Sequence, residues 1–211
     1  MRNYPNCLLD PEKVTIMIID EQPQMFFGVQ NAPRTEVANN IVGLAKTAKV
    51  FNVPCILSTV TAKTFAGNMY SKIQQVYPDV IPIDRTNLNA WEDTNVKTAV
   101  EGTGRKILIM AGLWTEACVC FPALSAIQDG YEVYAVTDAS GGASEEAHNI
   151  AVMRMVQAGV KPVTWLQVLL EFQRDWNNKE TYTPVMDIIK EHGGAYGIGV
   201  EYAETMLPPT N

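Results

Sequence analysis

Short apolar runs and helical patterns alternate along this chain. Apolar, mostly β-branched runs fall at 14–19, 55–59, 106–111 and 132–136, with a weaker one at 161–164 and a further candidate at 80–83. Runs this short, without polar alternation, suit strands buried on both faces, as in a parallel sheet. Between them, Val37, Ile41, Leu44 and Ala48 recur at helical spacing and predict a helix over 37–51, ended before Pro54. Further helices are predicted over 71–77, 95–101, 116–129, 145–158, 165–176 and 184–192. Gly130, Gly159 and Gly193 stand where C-terminal caps belong, and Thr183-Pro184 opens the last helix. Strand–helix alternation with short links implies right-handed crossovers. The expected fold class is therefore α/β: three αβα layers, doubly wound and Rossmann-like, around a mostly parallel six-stranded sheet.

Composition adds limits to this picture. At 211 residues, with no repeat or linker, the chain reads as one domain, its core at about 13–176 and a C-terminal helix and tail at 177–211. Hydrophobic residues at 47% and charged ones at 18% fit an ordinary globule rather than a disordered chain. A net charge of −7 and the absence of a basic run disfavour a nucleic-acid partner. No apolar stretch is long enough to span a membrane, and residues 1–10 lack the apolar core of a signal peptide. Cys7, Cys55, Cys118 and Cys120 lack the paired spacing of a zinc ribbon or disulfide scaffold. Free thiols in the cytoplasm are the expectation.

In doubly wound sheets, ligands bind beyond the carboxyl ends of the strands. That rule selects Asp20, the segment 84–89, and the segment 112–118. Asp20 closes the run Ile16-Met17-Ile18-Ile19, where partial desolvation makes a carboxylate a stronger base. A turn cap is an equally good reading of a strand-end aspartate. Cys118 falls in the first turn of the 116–129 helix, where unpaired N–H groups and the helix dipole lower a thiol pKa and can receive an oxyanion. Pro122 cannot donate to the carbonyl of Cys118, so the helix should be distorted at the thiol. A small buried hydrophobe is the alternative reading of that cysteine.

Two blocks resolve these alternatives. Ile18-Ile19-Asp20 and Ala111-Gly112-Leu113-Trp114-Thr115-Glu116-Ala117-Cys118-Val119 resemble the hallmark segments of isochorismatase-like cysteine hydrolases, and Val136-Thr137-Asp138-Ala139 also fits that family. The resemblance runs from about Lys13 to Trp176. Arg85-Thr86, Asn89-Ala90-Trp91 and Phe121-Pro122-Ala123-Leu124-Ser125-Ala126 are similar specifically to the YcaC-like branch. The resemblance implies a Cys–Asp–Lys triad in which Asp20 takes the Cys118 proton and an acyl-enzyme forms. It also implies a cis peptide at Trp114–Thr115, turning the N–H groups of Thr115 and Cys118 toward one oxyanion. The implied activity is hydrolysis of a C–N bond in a small molecule, other than a peptide bond, by a homo-oligomer.

Arg85 stands where most of that superfamily has Lys. It keeps the charge but cannot give up a proton. Gln22, Phe26, Asn87 and Glu116 are further candidates for substrate contact, with packing or capping the equal alternative. Nicotinamidases of the superfamily carry an Asp and two His for a metal. No histidine lies between Thr59 and Arg85, and His148 and His192 are read as surface or packing residues far from the site. Neither metal nor cofactor is expected. A dinucleotide-binding oxidoreductase would need a Gly-rich turn where Asp20-Glu21-Gln22-Pro23 stands. A non-catalytic or redox-sensing thiol protein on the same fold is the other competing reading. Cys7, Cys55 and Cys120 are taken as non-catalytic, and Trp91 and Trp176 as core or interface residues.

Overall fold

The computed structural model describes residues 8–207, so Cys7 lies outside the described residues. The elements follow in the order β1 (Val14–Ile19), α1 (Pro23–Phe27), α2 (Arg34–Val50), β2 (Cys55–Val60), α3 (Ser71–Val76), β3 (Ile83–Arg85) and α4 (Thr94–Gly102). The second half runs β4 (Ile107–Gly112), α5 (Cys120–Gln128), β5 (Glu132–Val136), α6 (Glu145–Gln157), β6 (Lys161–Val163), α7 (Trp165–Gln173), α8 (Lys179–His192) and α9 (Ala195–Met206).

All six strands are parallel, in the order β3-β2-β1-β4-β5-β6. Alternation along β1 builds two cores. Ile16 and Ile18 point into one with Ile41 and Leu44 of α2, Phe172 of α7 and Ile189 of α8. Met17 and Ile19 point into the other with Val96 of α4, Ala123 of α5 and Met155 of α6. The chain thus sandwiches the sheet between helical layers, as the alternating pattern predicts. Strand order reverses between β1 and β4, whose register pairs Ile19 with Gly112. That reversal opens the crevice in which such sheets bind ligands.

Several elements differ from the sequence reading. The third strand is Ile83–Arg85, displaced toward the C-terminus from the expected 80–83, so Arg85 ends the strand rather than following it. The expected helix over 116–129 divides into a π-helical turn, Thr115–Val119, and α5 from Cys120. Pro122, the third residue of α5, withholds the N–H that would continue the α-helical ladder back to Cys118. α8 begins at Lys179, with Pro184 inside it rather than at its start. α9 lies within the expected tail; Gly197 and Gly199 inside it disfavour a helix. Its close packing on α8 supplies the reason for one of them: a Cβ on Gly197 would stand 2.4 Å from the carbonyl oxygen of Ile189.

Candidate active site

Three strand ends and one turn converge at the crevice. Asp20 follows β1 with a left-handed φ of +58°, and its N–H donates to the carbonyl of Ser58 on β2 at 2.9 Å. Aspartate tolerates that conformation better than most residues. Arg85, at the end of β3, donates from Nη2 to Asp20 Oδ2 at 2.7 Å, and both side chains are fully buried. The guanidinium is fixed on its other edges: Nε donates to Ser58 Oγ at 3.2 Å, and Nη1 to the carbonyl of Asn87. Ser58 Oγ in turn donates to the Ile83 carbonyl at 3.2 Å. The arginine is therefore a fixed counter-charge rather than a mobile surface cation.

Cys118 sits in the π-helical turn and is 2% exposed. Its thiol faces the carboxylate of Asp20, and the backbone N–H of Trp114 is directed at the sulfur. Burial raises the pKa of Asp20 to about 6, against the opposing pull of Arg85 and the thiol. Burial, with the charge of Asp20, pushes the Cys118 thiol up to about 12, outweighing the Trp114 N–H and Arg85. This reverses the expectation that a helix-terminus position would lower the thiol pKa. Burial thus disfavours the thiolate of Cys118, and Asp20 is the more acidic of the facing pair.

Other expected residues fall around this centre in different roles. The non-proline cis bond is Leu113–Trp114, one residue before the expected Trp114–Thr115. The N–H of Thr115 is committed to the carbonyl of Gly141 at 2.8 Å, which removes it as an oxyanion donor. Its hydroxyl meets His148 Nδ1 at 2.9 Å, so His148, expected far from the site, backs the turn that carries the thiol. Gln22 is buried with its amide spent on the backbone: Nε2 donates to the carbonyls of Val60 and Gly67, and Oε1 accepts from the Val60 N–H. Phe26 packs edge-on against Tyr70. Asn87 is exposed and contributes its carbonyl to Arg85. Trp114 donates from its indole to the Met25 carbonyl at 2.9 Å and fills the space over Gly28.

Glu116 has a different setting from the thiol. Its Oε1 accepts from the Ala143 N–H, and with Cys120, Ser144 and Arg154 it lines a cavity of about 410 Å³ that neither Asp20 nor Cys118 borders. Cys120 is thus separated from Cys118, Cys55 lies in β2, and Trp91 is buried in the core. Trp176 is partly exposed, at 39%. Among the described residues, no group of three or more His, Cys, Asp or Glu side chains could hold a metal ion. No helix among them is long and apolar enough to cross a membrane.

Two residues of the centre were not singled out from sequence. Ser58 gives no signal in an apolar strand beyond its facing position. Glu21 looks like a solvated loop residue, yet it is 0% exposed and neither carboxyl oxygen has a hydrogen-bond partner. Burial, then the charge of Asp20, holds its carboxyl well above the usual carboxylate range.

The geometry can be set beside known proteins. A model of the isochorismatase domain matches residues 14–167. The chain is 39% identical over 175 residues to the probable hydrolase YcaC of Escherichia coli (strain K12), covering 82% of this chain and 84% of that protein. The structure of YcaC from Pseudomonas aeruginosa with hexane-2,5-diol and covalent acrylamide matches with a TM-score of 0.90 at 33% identity, covering 96% of this chain and 100% of that one. The Escherichia coli YcaC structure, described as an octameric hydrolase of unknown specificity, also matches at 0.90, with 35% identity and coverage of 97% and 100%.

Proposed function

The chain belongs to the isochorismatase family of hydrolases, and from that premise we propose that it is a cysteine amidohydrolase acting on a C–N bond of a small molecule. One observation carries the reading: a buried thiol facing a buried carboxylate that is itself held by a buried arginine at 2.7 Å.

In this reading Asp20 takes the Cys118 proton as the sulfur attacks the substrate carbonyl carbon. The proton transfer moves the negative charge from Asp20 to sulfur without changing the net charge of the buried group. The Trp114 N–H, beside the sulfur, donates to the oxyanion. Asp20 then gives its proton to the departing nitrogen, which leaves as amine or ammonia, and a thioester remains. Water, deprotonated by Asp20, hydrolyses the thioester, and the thiol is restored as the acid is released. Arg85 keeps its proton throughout and holds Asp20 ionised near neutral pH.

The thiol protonation state separates this reading from a redox-sensing thiol, which needs an accessible thiolate. The octameric YcaC relative supports a homo-oligomer. Exposed Ile150 and Met153 on α6, and Ile198, Tyr202 and Met206 on α9, offer apolar surface for it. One sheet with a helical layer and core on each face supports a single domain, and we infer a cytoplasmic protein.

The test is a panel of small amides and ureas assayed on wild type and Cys118→Ala, with acrylamide labelling followed by mass spectrometry. Turnover lost in Cys118→Ala, and acrylamide on Cys118, are the expected results. Labelling of Cys55 or Cys120 while Cys118 stays unmodified would overturn the assignment.

A further inference from the structure

Glu21 is a buried carboxyl that this chemistry does not use. Its neighbours fix it in place: the Glu21 carbonyl accepts from the Tyr70 N–H at 2.7 Å, Gln22 is tied to Val60 and Gly67, and Asp20 to Arg85. The backbone on both sides of this carboxyl is therefore held in place. The charged groups that bear on this corner are Asp20 from the end of β1, and Arg85 and Asp84 from β3. The ionisable thiol of Cys118 faces Asp20 from the turn before α5. Arg85 supplies one buried positive charge, and Asp20 already accepts its hydrogen bond. Neither oxygen of Glu21 has a partner. A second buried anion here would be uncompensated, which is among the costliest arrangements in a protein interior.

We propose that Glu21 is held as a neutral carboxylic acid and positions the base, walling Asp20 from water while adding no charge. The inference rests on Asp20 being the base. It assigns Glu21 a part in setting where that base titrates: a neighbour that excludes solvent keeps the proton affinity of Asp20 high, and a neutral one avoids driving it higher still. Arg85 lowers the proton affinity of Asp20, and the burial to which Glu21 contributes raises it.

Two readouts test this. Infrared difference spectra at pH 8 between wild type and Glu21→Gln should contain a carboxylic-acid C=O band that the variant lacks. The rate of Cys118 alkylation by acrylamide against pH should fall on the acid side with a midpoint near 6 in wild type, and Glu21→Gln should keep that midpoint. Glu21→Ala, which admits water beside Asp20, should lower the midpoint by about one unit, making alkylation at pH 5 roughly fivefold faster relative to its plateau. Glu21→Val serves the same purpose if the Ala variant does not fold. Absence of the acid band, a midpoint in Glu21→Gln lower by a unit, or truncation variants with the wild-type midpoint would each overturn the proposal. A wild type without any acid limb would instead overturn Asp20 as base, while the infrared band still reports the state of Glu21.

Discussion

Replacing Arg85 by Met tests the ion pair at the heart of the site. The substitution removes the donor to Asp20 Oδ2 and the hydrogen bonds to Ser58 Oγ and the Asn87 carbonyl, at a position that is 4% exposed. In wild type the folded-state pKa of Asp20 is about 6 against 3.8 for an ordinary aspartate, so its raised pKa costs stability that builds up between those pH values and persists above pH 6. Without Arg85 the pKa rises further, because the opposing pull is gone and burial remains. The variant must then hold a proton on Asp20 that wild type releases above pH 6. From pH 6 to pH 8 that extra cost grows by about 1.4 kcal/mol per unit, or roughly 2.7 kcal/mol in all. Below pH 6, Asp20 is protonated in both proteins, and the penalty falls chiefly to the lost hydrogen bonds to Ser58 Oγ and the Asn87 carbonyl, about 1 kcal/mol each. The expected destabilisation is about 2 kcal/mol at pH 5 and between 4 and 5 kcal/mol at pH 8. The upper figure agrees with the roughly 3–5 kcal/mol typical of a buried pair with one partner removed. Urea denaturation at both pH values measures it. A penalty equal at pH 5 and pH 8 would refute the reasoning, since the loss would then be packing rather than charge.

Asp20→Asn should slow acrylamide alkylation of Cys118 by at least about a hundredfold at pH 7.5 and abolish the acid limb near pH 6; mass spectrometry of the labelled thiol decides it. Ser58→Ala removes the acceptor of Arg85 Nε and should cost about 1–2 kcal/mol in urea denaturation. An unchanged midpoint would show that the guanidinium does not depend on that hydroxyl. Gly28→Ala would place a Cβ 2.3 Å from the Trp114 ring. It should displace the indole from its bond to Met25, cost about 1–3 kcal/mol, and shift the tryptophan emission; wild-type emission and stability would contradict the close packing.

The sheet and its helices were legible because buried parallel strands announce themselves as short apolar runs, and each run here is followed by a helical period. The crevice was legible for the same reason: once β1 and β4 are placed, Asp20 and Cys118 must lie at their ends, on either side of the reversal in strand order. Position alone left both residues ambiguous, and the family-like block around Cys118 decided between readings. The pKa direction was misread because helix-end stabilisation of a thiolate operates where solvent reaches the sulfur. Here desolvation and a facing carboxylate dominate. The location of the cis bond depends on a single peptide, which no pattern of side chains specifies. Gln22 and Thr115 carry polar groups that the backbone of the fold consumes, and only the folded chain reveals which carbonyls they meet. Glu21 went unnoticed since a glutamate after a strand is ordinarily solvated. Its carbonyl is met by the Tyr70 N–H, from the segment between β2 and α3, a contact that its neighbours in sequence do not announce.

The left-handed backbone at Asp20 restricts what can ever occupy that position. Asparagine visits this conformation about as readily as aspartate, whereas alanine, leucine or glutamate is penalised by its Cβ. A drifting sequence therefore has a narrow exit: the carboxylate proposed as the base can be lost to Asn with the loop intact, but Glu at that φ is strained. Descendants that have abandoned catalysis should carry Asn at this position more often than Ala, so that a retired site keeps the outline of a working one.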